Sequence, residues 1–260
     1  MRSGMYALFI GSFFVLNPLC NAYTFSDDFE SYTAGEVPSS EWTQKICSWT
    51  VGNDGDTNYI SNSSSYSDCS ISYGNDYGVV WKNNSFGIDQ YLEVDAYFDL
   101  GGSIDDQDAQ LRLRTGENPN GLQPFWDTGY IGQFEPNKLG IYDASPNSGY
   151  ELVAEWQFAP GDSPFIATGW YTLGFGVSGT GADTELQLSV DGTVYINATY
   201  NAPSALNNGY IGLGRLIRYD NATGYSSLNA IPIPGAAGLL LLGSGLIGLI
   251  GFRNSKAGRG

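Results

Sequence analysis

Hydrophobic and polar residues alternate with a period of two along most of the chain, which is the pattern of β-strands that bury one face. The clearest run is residues 91–98, in which every second residue is apolar: Leu92, Val94, Ala96 and Phe98. Residues 23–230 show no convincing 3.6-residue period of an amphipathic helix. We therefore expect β-strands throughout this central part.

Turn residues separate the alternating runs. In residues 186–190 apolar positions alternate with polar ones, and Asp191-Gly192 then provides a strong hairpin signal. Comparable short runs occur at residues 78–82, 111–114, 130–134, 139–142, 152–158, 171–177 and 210–213. About a dozen short strands, with no linker or internal repeat between them, predict one antiparallel β-sandwich.

The first 22 residues have the composition of a secretory signal peptide. Arg2 supplies the positive start, residues 5–16 are almost wholly apolar, and Cys20-Asn21-Ala22 offers small residues for cleavage. A buried first strand or helix is the alternative. We predict a signal peptide over residues 1–22 and an ectodomain over residues 23–230.

Residues 235–252 form an apolar segment of 18 residues without a charge. This length is just sufficient for a helix that crosses ~30 Å of hydrocarbon. A basic cluster follows directly and consists of Arg253, Lys256 and Arg259. By the positive-inside rule we expect the C-terminus to remain in the cytoplasm and the ectodomain to lie outside. A buried core helix is the alternative.

Residues 231–260 resemble the PEP-CTERM sorting signal, in which a Pro-Glu-Pro motif, a membrane helix and an Arg/Lys cluster follow one another. Pro232, Ile233 and Pro234 stand at the motif, with Ile233 in place of the glutamate. The resemblance implies processing by an exosortase after transient contact with the inner membrane. It also implies a mature protein at the cell surface or in the extracellular polysaccharide matrix. Permanent anchoring without cleavage is the alternative.

The predicted ectodomain is strongly acidic. It contains all 27 Asp and Glu residues but only seven basic residues, which gives it a net charge of −20. Such a surface repels phosphate backbones, so we predict no nucleic-acid partner. The chain has no histidine, which removes the commonest general base and most zinc sites.

Two cysteines remain after removal of the signal peptide, Cys47 and Cys69. In an exported protein two cysteines most simply form a disulfide. A loop of this size would contribute ~3 kcal/mol to stability in the chain-entropy account. We predict that this bond closes a loop rich in Ser, Asn and Gly.

Four segments together resemble the concanavalin A-like jelly roll of lectins and glucanases. They are the opening run 25–32, Trp170-Tyr171-Thr172-Leu173, residues 186–192, and residues 209–214 leading to 219–221. The resemblance implies a lectin-like sandwich that contacts glycans. An immunoglobulin-like or other exported sandwich is the competing fold.

The glucanases of this fold carry Glu-x-Asp-x-x-Glu along one strand, and the nearest match here begins at Glu93 and Asp95. Phe98 occupies the third acidic position, and strand alternation turns it away from the other two residues. Glu93 and Asp95 therefore read as the solvent face of an ordinary strand. We predict a protein without catalytic residues, and a glycosidase or lyase is the alternative.

Calcium is the most plausible ion, because it takes carboxylate oxygens and the chain is acidic. By resemblance to jelly rolls in which the first and last strands meet at a calcium ion, Asp28 and Asp220 are the expected ligands. The alternative is that they are strand-end and turn carboxylates. Sugar binding needs exposed aromatic residues, and Trp126, in a turn-rich segment, is the first choice, followed by Trp81.

These observations predict an exported, noncatalytic protein of the bacterial surface or biofilm matrix, with a glycan-binding or structural β-sandwich. A glycan-active enzyme on the same fold, and a purely adhesive protein, remain as alternatives.

Overall fold

The computed structural model describes residues 22–44, 49–62, 79–82, 86–101, 108–116, 128–144, 150–201, 209–215 and 217–227. All of them belong to the first of two units into which the chain divides, residues 1–228 and 229–260. The predicted sorting motif, the basic cluster, Cys47, Cys69 and Trp126 lie outside the described residues. Within the described ranges, no helix has the length and apolar character to cross a membrane.

Fifteen strands and one 3-10 turn (Gly181–Asp183) form the described part of the chain. The strands are β1 (Ala22–Asp27), β2 (Trp42–Gln44), β3 (Trp49–Asn53), β4 (Asn58–Asn62), β5 (Val79–Lys82), β6 (Gln90–Phe98), β7 (Ala109–Gly116), β8 (Thr128–Glu135), β9 (Lys138–Asp143), β10 (Glu151–Gln157), β11 (Gly169–Ser178), β12 (Thr184–Val190), β13 (Thr193–Tyr200), β14 (Tyr210–Gly214) and β15 (Arg218–Ser227). The predicted all-β class is confirmed.

The strands form two antiparallel sheets. The larger sheet has the order β13-β12-β11-β6-β15-β4-β3, with β1 paired to β15 beside β4. The smaller sheet has the order β10-β9-β8-β7-β14-β5-β2. Sequence neighbours are often not sheet neighbours, since β6 lies between β11 and β15, and β14 lies between β7 and β5. The result is the predicted jelly-roll β-sandwich.

The core lies between the two sheets, and strand β6 shows how the sequence forms it. Its residues alternate strictly between buried and half-buried, and the predicted inward set (Leu92, Val94, Ala96 and Phe98) is fully buried. Burial of the Leu92, Val94 and Phe98 side chains stabilises the fold by about 2 kcal/mol each, and the methyl group of Ala96 contributes less. The sheets approach closely at Gly132, where an added Cβ would lie 2.6 Å from a methyl group of Leu188.

The Asp191-Gly192 turn joins β12 to β13 as predicted. Both turn residues have positive φ, 48° and 74°, as a type I′ hairpin turn requires. The Asp191 carboxylate also accepts a hydrogen bond from the Thr172 N–H at 2.9 Å, which ties the turn to β11. The turn therefore fixes the register at the end of the larger sheet.

Strand β7 departs from simple alternation. The sequence alternates Leu111 and Leu113 with Arg112 and Arg114, yet all four residues are buried. Arg114 donates from Nε to the Ile88 carbonyl at 2.7 Å and from Nη2 to the Gly179 carbonyl at 2.6 Å. Backbone carbonyls thus hold this cation inside the fold, and both faces of β7 are covered.

The first strand ends in a buried polar anchor, Asp27. Its carboxylate accepts hydrogen bonds from Trp42 Nε1 at 2.7 Å, from the Phe29 N–H at 3.0 Å and from the Tyr32 hydroxyl at 3.2 Å. Phe29 has a positive φ of 56° and a fully buried ring. These contacts fold the chain after β1 back onto the core.

Candidate ligand-binding face

The outer face of the larger sheet carries the most polar and aromatic array of the described residues. Strand β6 is central and directs Tyr91, Glu93, Asp95 and Tyr97 outwards, opposite to its four core residues. Its neighbours β11 and β15 align matching residues beside them. Four cross-strand rows result: Arg218–Tyr97–Trp170, Asp220–Asp95–Thr172, Thr223–Glu93–Gly174 and Tyr225–Tyr91–Gly176.

At one end of the face Tyr91 and Tyr225 stack, with ring centroids 5.4 Å apart and planes 23° from parallel. Two glycines on β11 make room for Tyr91. An added Cβ on Gly174 would lie 2.7 Å from the Tyr91 hydroxyl, and one on Gly176 would lie 3.3 Å from the ring. The Tyr91 ring therefore lies against glycine backbone.

The Tyr91 hydroxyl donates to a Glu93 carboxylate oxygen at 2.9 Å. Burial, followed by this hydrogen bond, raises the pKa of Tyr91 to about 12. The hydroxyl consequently stays protonated at any physiological pH and continues to hold Glu93 in place. The Tyr91 ring and the Glu93 carboxylate thus hold each other in a defined orientation on the face.

The middle of the face holds carboxylates, each supported by neutral donors. Asp95 accepts from the Thr172 hydroxyl at 2.6 Å and from the Asn221 side-chain amide at 2.9 Å. Asp220 accepts from the Thr57 hydroxyl at 2.8 Å and from the Asn221 N–H at 2.7 Å. The carboxylates are therefore oriented without being neutralised by these partners.

Asp220 is almost completely buried, whereas Asp95 is half-buried. Burial is the main cause that raises the pKa of Asp220, and the charges of Asp95 and Glu30 raise it further, against the hydrogen bonds from Thr57 and Asn221. Glu30 belongs to the same network, because its carboxylate accepts from the Asn58 N–H at 2.7 Å and also lies 2.7 Å from the Thr57 hydroxyl oxygen. The carboxylates of Asp95, Asp220 and Glu30 therefore lie close enough at this point of the face to affect one another.

The other end of the face is aromatic and carries one cation. Trp170 meets Tyr97 edge to face at 5.3 Å and Tyr59 at 6.4 Å. The guanidinium of Arg218 lies 4.9 Å from the centroid of the Tyr59 ring and 5.1 Å from that of the Tyr97 ring. Rings thus stand at both ends of the face with the carboxylates between them.

The structure assigns different surroundings to Asp28 and Asp220. Asp28 is exposed, accepts the Glu30 N–H at 3.1 Å and lines an open polar cavity of about 470 Å³ with Tyr32 and Glu41. Asp220 belongs to the outer face. Among the described residues no group of three or more Cys, Asp or Glu side chains is arranged to hold a metal ion. A calcium ion at these two residues stays a prediction from the sequence.

The incomplete Glu-x-Asp-x-x-Glu motif has the geometry that strand alternation predicts. Glu93 and Asp95 share the outer face, and the Phe98 ring is fully buried in the core. Two of the three motif positions are thus available to a ligand, and the third is occupied by a core side chain.

Sequence reasoning missed the aromatic members of the face, namely Tyr59, Tyr91, Tyr97, Trp170 and Tyr225. The signal was partly available, because the outward positions of β6 begin and end with tyrosine. The favoured residue, Trp126, lies outside the described part, and of Trp81 only the backbone is described, in β5 of the smaller sheet. No local pattern connects Trp170 or Tyr225 to β6.

No protein-family model and no curated protein matches this chain. Solved structures similar to it include the carbohydrate-binding module CBM66 from Bacillus subtilis, with 14% identity over 72% of this chain and 92% of that chain and a TM-score of 0.45. A glycoside hydrolase family 16 endo-glucanase from Bacteroides ovatus has 13% identity over 77% and 99%, with a TM-score of 0.49.

The carbohydrate recognition domain of Emp46p, in its potassium-bound form, has 14% identity over 77% of this chain and 95% of that chain, with a TM-score of 0.48. At such identities and TM-scores these likenesses bear on no question of ligand or activity.

Proposed function

We propose that the outer face of the larger sheet binds a glycan and that the protein does so without catalysis. The supporting observation is the arrangement of aromatic rings at both ends of β6 with oriented carboxylates between them. Sugars present apolar C–H faces that pack on aromatic rings, and hydroxyl groups that donate to carboxylate oxygens. From Tyr91 to Tyr97 the strand rises by about 20 Å, which is long enough for several linked sugars.

Affinity electrophoresis of the purified full chain in gels that contain soluble polysaccharides tests this proposal. Tyr225→Ala removes an exposed ring from the face, and we expect at least a tenfold loss of affinity. Trp156→Ala is the matched control, because Trp156 is as exposed as Tyr225 (49% against 48%) but lies on β10 of the smaller sheet. Absence of retention in every gel, or equal losses in both variants, would overturn the proposal.

We also propose that the chain is exported and sorted by an exosortase to the cell surface or matrix. Support comes from the order of features in residues 231–260, namely a Pro-Ile-Pro motif, an apolar segment and a basic cluster. Mass spectrometry of the protein recovered from an exosortase-positive bacterium should show a mature start near Tyr23 and an end near Pro234. A double change, Pro232→Ala with Pro234→Ala, should leave the C-terminal segment attached. Recovery of the native chain from the cytosol with both termini intact would contradict export.

A glycan-active enzyme is the second candidate function. The observation in its favour is that Glu93, Asp95 and Asp220 lie in adjacent positions of one exposed sheet face. Reducing-end assays on the polysaccharides that bind would decide between the two functions. Turnover that Glu93→Gln abolishes while binding persists would establish catalysis and replace the noncatalytic proposal.

A further inference from the structure

Among the described residues Arg218 supplies the cation of the outer face, and two tyrosines contact it. Its guanidinium lies over the rings of both Tyr59 and Tyr97, at 4.9 and 5.1 Å from their centroids. Cation–π contacts with two rings restrict the long side chain while its charge and its N–H donors are kept. Trp170 packs against both tyrosines and supports them.

The hydrogen bonding of Arg218 differs from that of the carboxylates on the same face. Glu93, Asp95 and Asp220 each accept a hydrogen bond from a neighbouring side chain. The guanidinium of Arg218 makes no hydrogen bond and no ion pair with any described residue. Its charge does act on the Asp54 carboxylate, whose pKa is lowered first by backbone hydrogen bonds and then by Arg218. On this face the three carboxylates thus accept hydrogen bonds from their neighbours, whereas the Arg218 guanidinium keeps its N–H donors for a ligand.

We infer that Arg218 binds a carboxylate group of the glycan, so that the ligand is an acidic polysaccharide that contains uronic acid. This inference rests on the proposed glycan-binding function. The planar guanidinium fork matches a carboxylate in bidentate fashion, and its prior restraint by the tyrosines lowers the entropic cost of binding.

The position of Arg218 also limits the spacing of charge in the ligand. Asp220 and Asp95 occupy the next row of the face, two residues along β15 and β6. A second ligand carboxylate at that row would meet like charge, whereas sugar hydroxyls would find acceptors there. The face therefore fits a polymer in which an acidic sugar alternates with neutral ones, and it disfavours a uniformly charged polyuronate.

Isothermal titration of the full chain with oligosaccharides of gellan, whose repeating unit carries one glucuronate among neutral sugars, tests this inference. The same oligosaccharides after carboxyl reduction are the neutral probe, and oligogalacturonate is the uniformly charged one. We expect the native chain to prefer the gellan oligosaccharides over both by about tenfold, the value of one charge-assisted bidentate contact.

Arg218→Gln should abolish the preference for the acidic probe, because it should weaken binding of the acidic probe much more than binding of the neutral one. Arg218→Lys should restore only part of it, because an ammonium group cannot form the planar two-bond contact. Lys138→Gln is the matched control, since it removes the same charge from β9 of the smaller sheet, and it should keep the preference. Equal urea midpoints would show that the variants fold alike.

Two outcomes separate the inference from the proposed function. If native protein binds acidic and neutral probes equally, or if Arg218→Gln weakens both equally, then Arg218 does not recognise a carboxylate, and glycan binding itself survives. If the native chain binds none of these oligosaccharides and no other glycan, both the inference and the proposed function fail.

Discussion

The nine residues of strand β6 are divided between two faces, and different interactions hold the side chains of each face. The inner face consists of side chains that are fully buried and fill space between the sheets: Leu92, Val94, Ala96 and Phe98. The outer face consists of half-buried rings and carboxylates held by hydrogen bonds to neighbouring strands. Side chains on the inner face must fit the space between the sheets, because protein interiors are close-packed. Side chains on the outer face must point towards their hydrogen-bond partners, because hydrogen bonds depend on distance and angle. Changes on the inner face should therefore cost stability, and changes on the outer face should cost binding.

Leu92→Ala should have the largest effect. It removes a fully buried side chain and leaves a cavity, so we expect a loss of about 3 kcal/mol in the free energy of unfolding. Urea unfolding followed by circular dichroism measures it. Glu93→Gln, one residue along on the outer face, should change stability by less than about 0.5 kcal/mol. Similar losses in both variants would erase the distinction between the faces.

Gly174→Ala should have an intermediate effect, mainly on binding. The added methyl group would meet the Tyr91 hydroxyl at 2.7 Å and the Ser189 Oγ, so the tyrosine must move off the sheet. We expect glycan affinity to fall by about tenfold, or ~1.4 kcal/mol, with a smaller change in stability. Gly169→Ala on the same strand is the control, because an added Cβ there meets nothing within 4 Å. Unchanged affinity in Gly174→Ala would show that the position of Tyr91 does not matter.

Asp220→Asn should have the smallest effect, visible only in the pH dependence of stability. Burial, followed by the charges of Asp95 and Glu30, raises the pKa of Asp220 in the folded protein. The folded state therefore binds this proton more tightly than the unfolded state does, and the contribution of Asp220 to stability falls as pH rises from about 4 through the raised pKa. Between pH 4 and pH 7 the free energy of unfolding should therefore fall less for Asp220→Asn than for the native chain. Urea unfolding at a series of pH values measures the difference.

Asp162→Asn, which removes an exposed carboxylate, controls for the change in net charge. If Asp220→Asn and Asp162→Asn follow the same pH profile, the outer face does not concentrate like charge at Asp220. The comparison of the faces would then rest on the aromatic residues alone.

Much of the fold could be predicted where the signal is local. The burial of β6 and the Asp191-Gly192 hairpin follow from alternation and turn chemistry over fewer than a dozen residues. Strand β15 could not be predicted in full, because Asn221-Ala222-Thr223-Gly224 looks like a turn. In the structure Asn221 adopts a φ of 49° beside an irregularity in the pairing with β6, and the strand continues through it. Pairing with β1 and β6 on both sides outweighs the weak local preference.

The candidate site shows the same limit. Alternation alone places Glu93 and Asp95 on one outward face, and the structure agrees. Their partners come from far along the chain, since Thr172 is 77 positions from Asp95 and Asn221 is 126 positions from it. The burial of Arg112 and Arg114 was equally hidden, because it depends on what covers the second face of β7.

Four properties follow from the order and composition of the residues alone: the all-β class, the inward residues of the central strand, the tight hairpin turn and the acidic character of the chain. These properties depend on neighbours within a few positions or on simple composition, so they need no knowledge of strand order. The position of β11 and β15 on either side of β6 is known only from the folded protein, and this strand order brings the rings, the carboxylates and Arg218 together on one face. Strand order is a non-local choice made by the packing of the whole core, and no periodicity in the sequence encodes it.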